Sequence, residues 1–294
     1  MNFDVCVIGH ITTDFIQIDG SITTEIPGGT AYYTSMALKS LSLDVAVITK
    51  MSRDHRACLL AELEEVGIRV FCEESQQTTV FENIYSREEL DTRVQRIRSV
   101  ASPFSSENLA GISASFFHVG PLTNTDISPD FLREVASKNR PISLDVQGLL
   151  REVTQDRVRS VEWEEKAKGL AHVNILKADE TEAKILTGED DLEKAAIRLS
   201  NLGPGEVIIT SGSKGSLIYA QHEFHRVPAF QVTELVDMTG CGDTYMAGYI
   251  HERMKSDNVE KAGKFAAYLA SQKLERFGAL RPNKVDGFAP VTKL

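Results

Sequence analysis

Residues 237–250 read DMTGCGDTYMAGYI, and this stretch carries the strongest signal for the fold. A helical pattern of apolar residues begins after two glycines and a carboxylate, although glycine weakens a helix. Gly240 and Gly242 allow a tight turn and let a ligand approach the backbone closely. The first amides of a helix have no partner within it, so they attract anions. The stretch predicts either a small anion site or an ordinary helix start with an acidic first turn.

Asp243 lies beside the predicted anion site, where a carboxylate would repel a bound anion. A carboxylate at this position is nevertheless useful if it accepts a proton from a hydroxyl that attacks the anion. Phosphoryl transfer needs amides that hold the developing charge and an acid that orients the nucleophile. These residues alone leave both interpretations open.

Composition indicates a globular protein that binds a small ligand. The 294 residues suffice for one large domain over 1–294, or one domain with a small appendage. The net charge of −10 argues against a nucleic-acid or membrane partner. The four cysteines lack the close spacing of a zinc or redox motif, so we expect a reduced, cytoplasmic setting. Neither a signal peptide nor a membrane-spanning segment is expected, because the apolar runs are too short.

Short apolar runs alternate with longer helical patterns along the chain. This order predicts a mostly parallel sheet with helices on both faces, and ligands of such folds lie at the carboxyl ends of the strands. The predicted strands are 4–8, 45–49, 116–119, 142–145, 174–176 and 207–210. The predicted helices are 31–41, 54–66, 128–138, 162–171, 179–187 and 190–201, with two more between 241 and 274, the second capped by Asn258.

Two segments interrupt this order, residues 14–27 and 78–100. The first alternates in polarity around Asp19-Gly20, which predicts a β-hairpin. The second also alternates and has a charged turn in its middle. Together they predict a small β-sheet that stands off the main domain as a lid, with an ordinary insertion at the sheet edge as the alternative.

The string Asp-Met-Thr-Gly-Cys-Gly-Asp (237–243) resembles the C-terminal signature of the ribokinase-like (PfkB) carbohydrate kinases, usually written D-T-x-G-A-G-D. It departs from that signature at Met238 and Cys241, positions that contribute mainly backbone. The resemblance implies a three-layer α/β/α sandwich with a mostly parallel central sheet and a small β-sheet lid.

The same resemblance implies roles for the residues of this loop. Asp243 would be the catalytic base, and Asp237 and Thr239 would belong to a loop that in many relatives contacts a monovalent cation, so a K⁺ requirement is left open. The amides of the anion hole would come from Gly240, Cys241 and Gly242.

Two N-terminal stretches resemble the substrate side of the family. In PGGTAYYTSMALKSL (27–41), Gly28 and Gly29 match a glycine pair before a helix, but Tyr33 replaces the usual Asn. The Tyr33 hydroxyl would either bond a substrate hydroxyl from further away or shape the pocket for a different ring. In GHITTDFIQID (9–19), Asp14 falls where relatives place an acid that accepts hydrogen bonds from two substrate hydroxyls.

Two further stretches resemble the nucleotide side. LKADETEAKILTG (176–188) is similar to the family segment Asn-x-x-Glu, with Asp179 in place of the Asn and with Glu182 matched. These acids would lie near the nucleotide and a water-bound Mg²⁺, or would be solvent-facing acids of a helix. TSGSKGSLIY (210–219) looks like the segment that borders ATP, which it would do through Thr210, Gly212, Lys214 and Gly215.

SLDVQGLLR (143–151), TTVFENIY and DTRVQRI look like the branch of the family that contains inositol-kinase-like proteins. Asp145 and Gln147 would bind the substrate from the sheet edge. Arg93 would reach it from the lid, or would be a solvated strand charge. His222 and His225 are spaced H-x-x-H without a third ligand, so a metal site is not expected there.

The leading hypothesis is an ATP-dependent kinase that uses Mg²⁺ and transfers the γ-phosphate to a hydroxyl of a small sugar, polyol or cyclitol, with myo-inositol as one candidate. A nucleoside kinase of the same fold and a non-catalytic sugar- or nucleotide-binding regulator are the alternatives. The resemblance also leaves open a homodimer through the lid.

Overall fold

The computed structural model describes residues 2–18, 21–85, 93–155 and 157–282, apart from the side chains of 17, 18, 21–23, 85, 93 and 94. In chain order the strands are β1 (Asn2–Ile8), β2 (Thr12–Ile18), β3 (Ser21–Gly28), β4 (Val45–Met51), β5 (Arg69–Glu74), β6 (Val80–Tyr85), β7 (Arg93–Ser99), β8 (Ser113–Val119), β9 (Ile142–Asp145), β10 (Arg151–Thr154), β11 (Arg157–Ser160), β12 (Ile175–Asp179), β13 (Glu206–Thr210), β14 (Ser216–Ala220) and β15 (Glu223–Val227). The helices are α1 (Thr30–Ser40), α2 (Arg53–Glu65), α3 (Pro129–Ala136), α4 (Lys166–Leu170), α5 (Glu180–Thr187), α6 (Leu192–Ser200), α7 (Cys241–Arg253) and α8 (Val259–Leu274).

The main sheet has the strand order β15-β14-β13-β12-β9-β8-β1-β4-β5. The strands from β13 to β5 pair in parallel, and β14 and β15 continue the sheet antiparallel. All of the strands expected for this sheet are present. The edge strand β5 was not predicted, because its sequence RVFCEE is polar and only partly buried and so lacks a continuous apolar run.

Helices cover both faces of the main sheet, because successive residues of each strand face opposite sides. Val5 and Val7 of β1 pack with the cluster that contains α1, α2, α7 and α8, whereas Cys6 and Ile8 pack with the cluster that contains α3 to α6. The predicted three-layer α/β/α sandwich is therefore confirmed.

A second, smaller sheet has the order β10-β11-β7-β6-β2-β3. Its neighbours pair antiparallel, except that β2 and β6 are parallel. The predicted segments 14–27 and 78–100 supply most of it, although the Asp19-Gly20 turn and residues 86–92 lie outside the described residues. The hairpin of β10 and β11 was not predicted, since REVT and RVRS are short and charged.

One helix differs from its prediction. Helix α4 begins at Lys166 and ends at Leu170, shorter than the expected 162–171. Trp163 precedes this helix and packs on Gly169, where an added Cβ would lie 2.4 Å from the indole ring. The predicted cap of α8 is confirmed, because the Asn258 side chain accepts a hydrogen bond from the Lys261 amide at 2.8 Å. Within the described part of the chain, no helix is both long and apolar enough to cross a membrane.

Candidate active site

A cavity of about 290 Å³ lies where the carboxyl ends of β9, β12 and β13 meet the small sheet. Ligand sites of open parallel sheets occur at this edge. The residues singled out from the sequence that line it are Asp14, Gly29, Tyr33, Asp145, Gln147, Asp179, Thr210, Thr239, Gly240, Cys241, Gly242 and Asp243. Positions spread over more than 200 residues of sequence therefore meet in one place.

The start of α7 presents backbone amides to this cavity. Gly240 precedes the helix with a left-handed φ of 74°, and no side chain caps the helix. The Cys241 amide donates to the carbonyl of Met238 at 3.2 Å, so it is not the free donor that was expected. Among the described residues the amides of Gly242 and Asp243 have no hydrogen-bond partner. Two unpaired amides at a helix start indicate an anion site there.

Asp243 is partly buried in the first turn of α7. Burial and the nearby carboxylate of Asp145 raise the pKa of Asp243 to about 6, although Lys177 acts in the opposite direction. A carboxylate with a pKa near the working pH is suited to accept a proton and later release it. The local chemistry is therefore that of a general base beside an anion site.

Lys177 and Asp145 form a buried ion pair below the α7 turn. The Lys177 Nζ lies 2.8 Å from the Asp145 Oδ2, and their side chains are 8% and 2% exposed. Burial opposes ionisation of both groups, but their mutual attraction holds the pKa of Asp145 below and that of Lys177 above its usual value. A Cβ on Gly242 would lie 3.0 Å from the Lys177 Nζ, so the ammonium reaches the anion site.

Asp14 faces the cavity from β2 of the small sheet. Its Oδ1 accepts a hydrogen bond from the Thr12 hydroxyl at 2.6 Å, and its Oδ2 accepts one from the Asn83 side-chain amide at 3.4 Å. Gln95 in turn donates to the Asn83 side-chain oxygen at 3.1 Å. Gly28 does not line the cavity but leaves room for this cluster, because its Cβ would lie 2.7 Å from the Asp14 Cγ.

Tyr33 lies in α1 and is 2% exposed. Its ring packs on Gly240, where an added Cβ would lie 2.2 Å from the ring, so this contact requires glycine. The Tyr33 hydroxyl has no hydrogen-bond partner among the described residues. Burial, followed by the charges of Asp237 and Asp14, raises the pKa of Tyr33 and keeps it a neutral donor.

Gln147 and Arg151 form a polar wall on another side of the cavity. The Arg151 guanidinium donates to the Gln147 side-chain oxygen at 2.7 Å, and the Gln147 backbone amide donates to the Asp145 Oδ1 at 3.1 Å. Arg151 places a second positive charge near Asp243. These contacts suit an anionic group in the cavity.

Asp179 and Glu182 form a reciprocal cap at the start of α5. The Asp179 amide donates to Glu182 and the Glu182 amide donates to Asp179, both at 2.7 Å. Burial raises the pKa of Glu182 to about 7, with Lys177 opposing the shift. Only Asp179 lines the cavity.

The described residues contain no group of three His, Cys, Asp or Glu side chains placed to hold a metal ion. The pair of Asp179 and Glu182 fits Mg²⁺ only as an outer support that acts through water, which is how this ion is commonly held.

The turn at 211–215 lies outside the cavity lining, and Thr210, directly before the turn, is the residue of the stretch 210–219 that lines the cavity. Gly215 has a φ of 97°, and a Cβ there would lie 2.1 Å from the Val227 carbonyl, so the turn geometry itself requires glycine. Lys214 is 75% exposed and lies 3.5 Å from Glu180. The Arg93 side chain lies outside the described residues.

Several cavity-lining residues were missed from the sequence: Thr12, Thr30, Phe81, Gln95, Leu122 and Lys177. Lys177 had a readable signal, because a charged residue in the buried run ILKA needs a partner. Phe81 and Gln95 belong to the small sheet and alternate with outward-facing residues. The sequence does not show which face of the sheet their side chains occupy, because that depends on the register of β6 and β7.

Known proteins resemble this chain over nearly its whole length. A family model described as pfkB family carbohydrate kinase matches residues 2–285. The cytidine kinase of Thermococcus kodakarensis is 25% identical over 292 residues, which cover 94% of this chain and 97% of that protein. The inositol 3-kinase of Arabidopsis thaliana is 25% identical over 288 residues, which cover 94% of this chain and 75% of that protein.

A solved structure has the same architecture. It is a pyrophosphate-dependent kinase in the ribokinase family, complexed with a pyrophosphate analog and myo-inositol. The TM-score is 0.86 at 28% identity, over 95% of this chain and 98% of that chain. Since the family match, the three-layer fold and the glycine–acid turn all agree, this chain belongs to the pfkB family of carbohydrate kinases.

Proposed function

We propose that this kinase phosphorylates a hydroxyl of a small polyol, sugar or cyclitol, with ATP as donor and Mg²⁺ as the metal ion. One observation carries the proposal. Asp243, with a pKa near 6, and two unpartnered amides share a cavity with the hydrogen-bonded carboxylate of Asp14. A base and an anion hole at one end, with hydroxyl acceptors at the other, are the parts that phosphorylation of an alcohol requires.

The acceptor would lie against the small sheet. The Asp14 carboxylate accepts hydrogen bonds from polyol hydroxyls, and Gln95 and the Tyr33 hydroxyl add polar groups from two other sides. Phe81 and Leu122 supply apolar surface for a ring face. Arg93 is a further proposed contact from β7. This arrangement supports a hydroxylated ring, for which myo-inositol is the first compound to test.

Phosphoryl transfer would proceed at the start of α7. Asp243 removes the proton from the attacking hydroxyl, and the amides of Gly242 and Asp243 hold the charge that develops on the phosphoryl oxygens. Lys177 adds a fixed positive charge below the same turn. A Mg²⁺ held through water by Asp179 and Glu182 would neutralise donor phosphate charge.

Pyrophosphate is a second candidate donor. The turn that was expected to border ATP keeps Gly212, Lys214 and Gly215 off the cavity lining, while the charged groups that do line the cavity are suited to bare phosphates. The similarity to a pyrophosphate-dependent kinase supports the same alternative. A nucleoside acceptor is supported by the similarity to a cytidine kinase.

The test is a panel of purified enzyme with each donor and each acceptor. ATP and pyrophosphate are crossed with myo-inositol, other inositols, ribose, a hexose and cytidine, and the phosphorylated product is read by ³¹P NMR. We expect product with a cyclitol or polyol, and a much lower rate of product formation from the Asp243→Asn variant. Binding of acceptor and donor without product across the panel would instead indicate a non-catalytic regulator.

A further inference from the structure

Lys273, in the last turn of α8, buries its whole side chain beside the α7 loop. The side chain is 0% exposed. Its Nζ donates to the Asp237 Oδ2 at 2.9 Å, to the Asp237 carbonyl at 3.0 Å and to the Arg276 carbonyl at 3.1 Å. An ammonium has three donors, and all three are used on oxygens. Lys273 therefore surrounds its charge with a carboxylate and two carbonyls, as a bound cation would be surrounded.

Asp237 connects this ammonium to the anion site. Its Oδ1 accepts from the Thr239 amide at 2.9 Å, and its Oδ2 also accepts from the Gly278 amide at 3.1 Å. Only two residues lie between Asp237 and Gly240, whose left-handed turn starts α7. The position of the Gly242 and Asp243 amides therefore depends on how Asp237 is held.

A second contact runs from Lys273 to the same turn. The Nζ lies 6.0 Å from the centre of the Tyr33 ring, which also packs on Gly240. An ammonium is attracted to an aromatic ring at this distance. Lys273 thus holds the loop 237–240 through Asp237. It also supports Tyr33, which packs against Gly240 at the end of that loop.

A purely structural role explains this arrangement poorly. Burying an ion pair is costly, and an apolar pair of similar size often gives equal or greater stability. A charge here is useful if the loop before the anion hole must keep one conformation, because small displacements of donors greatly reduce turnover. The oxygens that the ammonium occupies belong to Asp237, where the family resemblance implied a monovalent cation.

We propose that Lys273 is a positioning residue that takes the place of a free monovalent cation and fixes the loop 237–240 for phosphoryl transfer. The enzyme then turns over without K⁺. The proposal rests on the kinase function proposed above, since it concerns the rate of that reaction.

The first experiment uses the wild-type enzyme. Its kcat is measured with K⁺, Na⁺ or tetramethylammonium as the only monovalent cation at matched ionic strength. We expect the same kcat in all three. A strong requirement for K⁺ in an enzyme that otherwise turns over would overturn the role of Lys273 and leave the proposed function intact. No turnover with any donor and acceptor would instead contradict both the proposed kinase function and the role of Lys273.

The second experiment uses Lys273→Met, with melting temperature as a check on folding. We expect kcat to fall by about a hundredfold with a smaller change in the acceptor KM, because the loop loses its position. Added NH₄⁺ or K⁺ should restore much of the kcat, and tetramethylammonium should not, since it is too large for the space among the oxygens. Such size-selective rescue is not expected of a merely structural lysine.

The matched control is Lys264→Met on the same helix, whose ammonium pairs with Glu260 at 2.7 Å and whose side chain is 50% exposed. We expect it to keep the wild-type kcat and show no response to NH₄⁺. Wild-type kcat in Lys273→Met, or a loss of kcat that no cation reverses in a folded variant, would contradict the proposal.

Discussion

Two glycine turns of similar appearance, 239–243 and 211–215, use their backbone amides differently. In the second turn the Ser211 amide donates to Gly215 at 2.8 Å, and the Lys214 and Gly215 amides donate within the turn at 3.1 Å. In the first turn the amides of Gly242 and Asp243 have no partner among the described residues. Among the described residues the Gly212 and Ser213 amides of the second turn have no partner either, but only the residues of the first turn line the cavity.

This difference shows what glycine spacing alone leaves undecided. Both turns need left-handed glycines, with a φ of 74° at Gly240 and 97° at Gly215. The second turn needs them because the Val227 carbonyl lies close behind it. The position of the unpaired amides, at a cavity or away from it, separates a turn that can bind a ligand from a turn that only connects two strands.

Asp243→Asn tests the first turn most severely. We expect kcat to fall about 10²–10⁴-fold, because the amide cannot accept the proton of the attacking hydroxyl. Donor binding, measured by calorimetry, should persist because the amides of the turn are unchanged. Asp257→Asn is the control, since that side chain is fully exposed at 100% and should leave kcat unaltered. Near wild-type turnover in Asp243→Asn would show that another group is the base.

Gly240→Ala and Gly212→Ala compare the two turns directly. Both residues have positive φ, 74° and 56°, so each alanine carries a similar backbone cost of about 1–2 kcal/mol. Only Gly240→Ala adds a clash, with its Cβ 2.2 Å from the Tyr33 ring, whereas Gly212 has open space. We expect Gly240→Ala to lower kcat by about a hundredfold and Gly212→Ala to leave it unchanged.

The readouts for this pair are steady-state kinetics and the free energy of unfolding in urea. If both alanines reduced kcat equally, the turn at 211–215 would contribute to the reaction as much as the turn at 239–243, and the distinction drawn from their amides would be wrong.

The pH profile measures the charge on Asp243. With its pKa raised to about 6, the carboxyl is protonated and unable to accept a proton at lower pH. We therefore expect kcat/KM to fall about tenfold per pH unit below 6 and to level off above it. Asp145→Asn removes a negative neighbour, so it should move this acid limb to lower pH. A limb that stays in place or moves upward would contradict the proposed coupling.

Much of the fold could be predicted because its signals are local. The apolar runs of β1, β4 and β8 and the helical patterns between them are each visible within a short window. The hairpin of β10 and β11 was missed because its charged residues become strand only through pairing with β7, far away in sequence. Tertiary context therefore decided the elements that the pattern left out.

The same contrast holds at the site. Asp243 and Gly240 were predicted because the turn and the acid are adjacent in sequence. Lys177 and Lys273 were not, because their partners Asp145 and Asp237 lie 32 and 36 residues away. A lysine in a sequence gives no indication of which carboxylate it will meet, and burial of that pair depends on the finished fold.

Lys214→Ala should have the smallest effect and tests the second turn alone. The ammonium is 75% exposed and pairs with a partly exposed Glu180, so the pair contributes about 0–1 kcal/mol. We expect kcat and the acceptor KM to be unchanged and the KM for ATP to rise by no more than about fivefold, because a contact between so exposed an ammonium and a phosphate would also contribute about 0–1 kcal/mol. The KM for pyrophosphate should not change. Lys184→Ala, also exposed and paired with Asp190, is the control. A large loss of kcat in Lys214→Ala alone would place this turn at the reacting phosphate, because an exposed ion pair by itself is too weak to cause it.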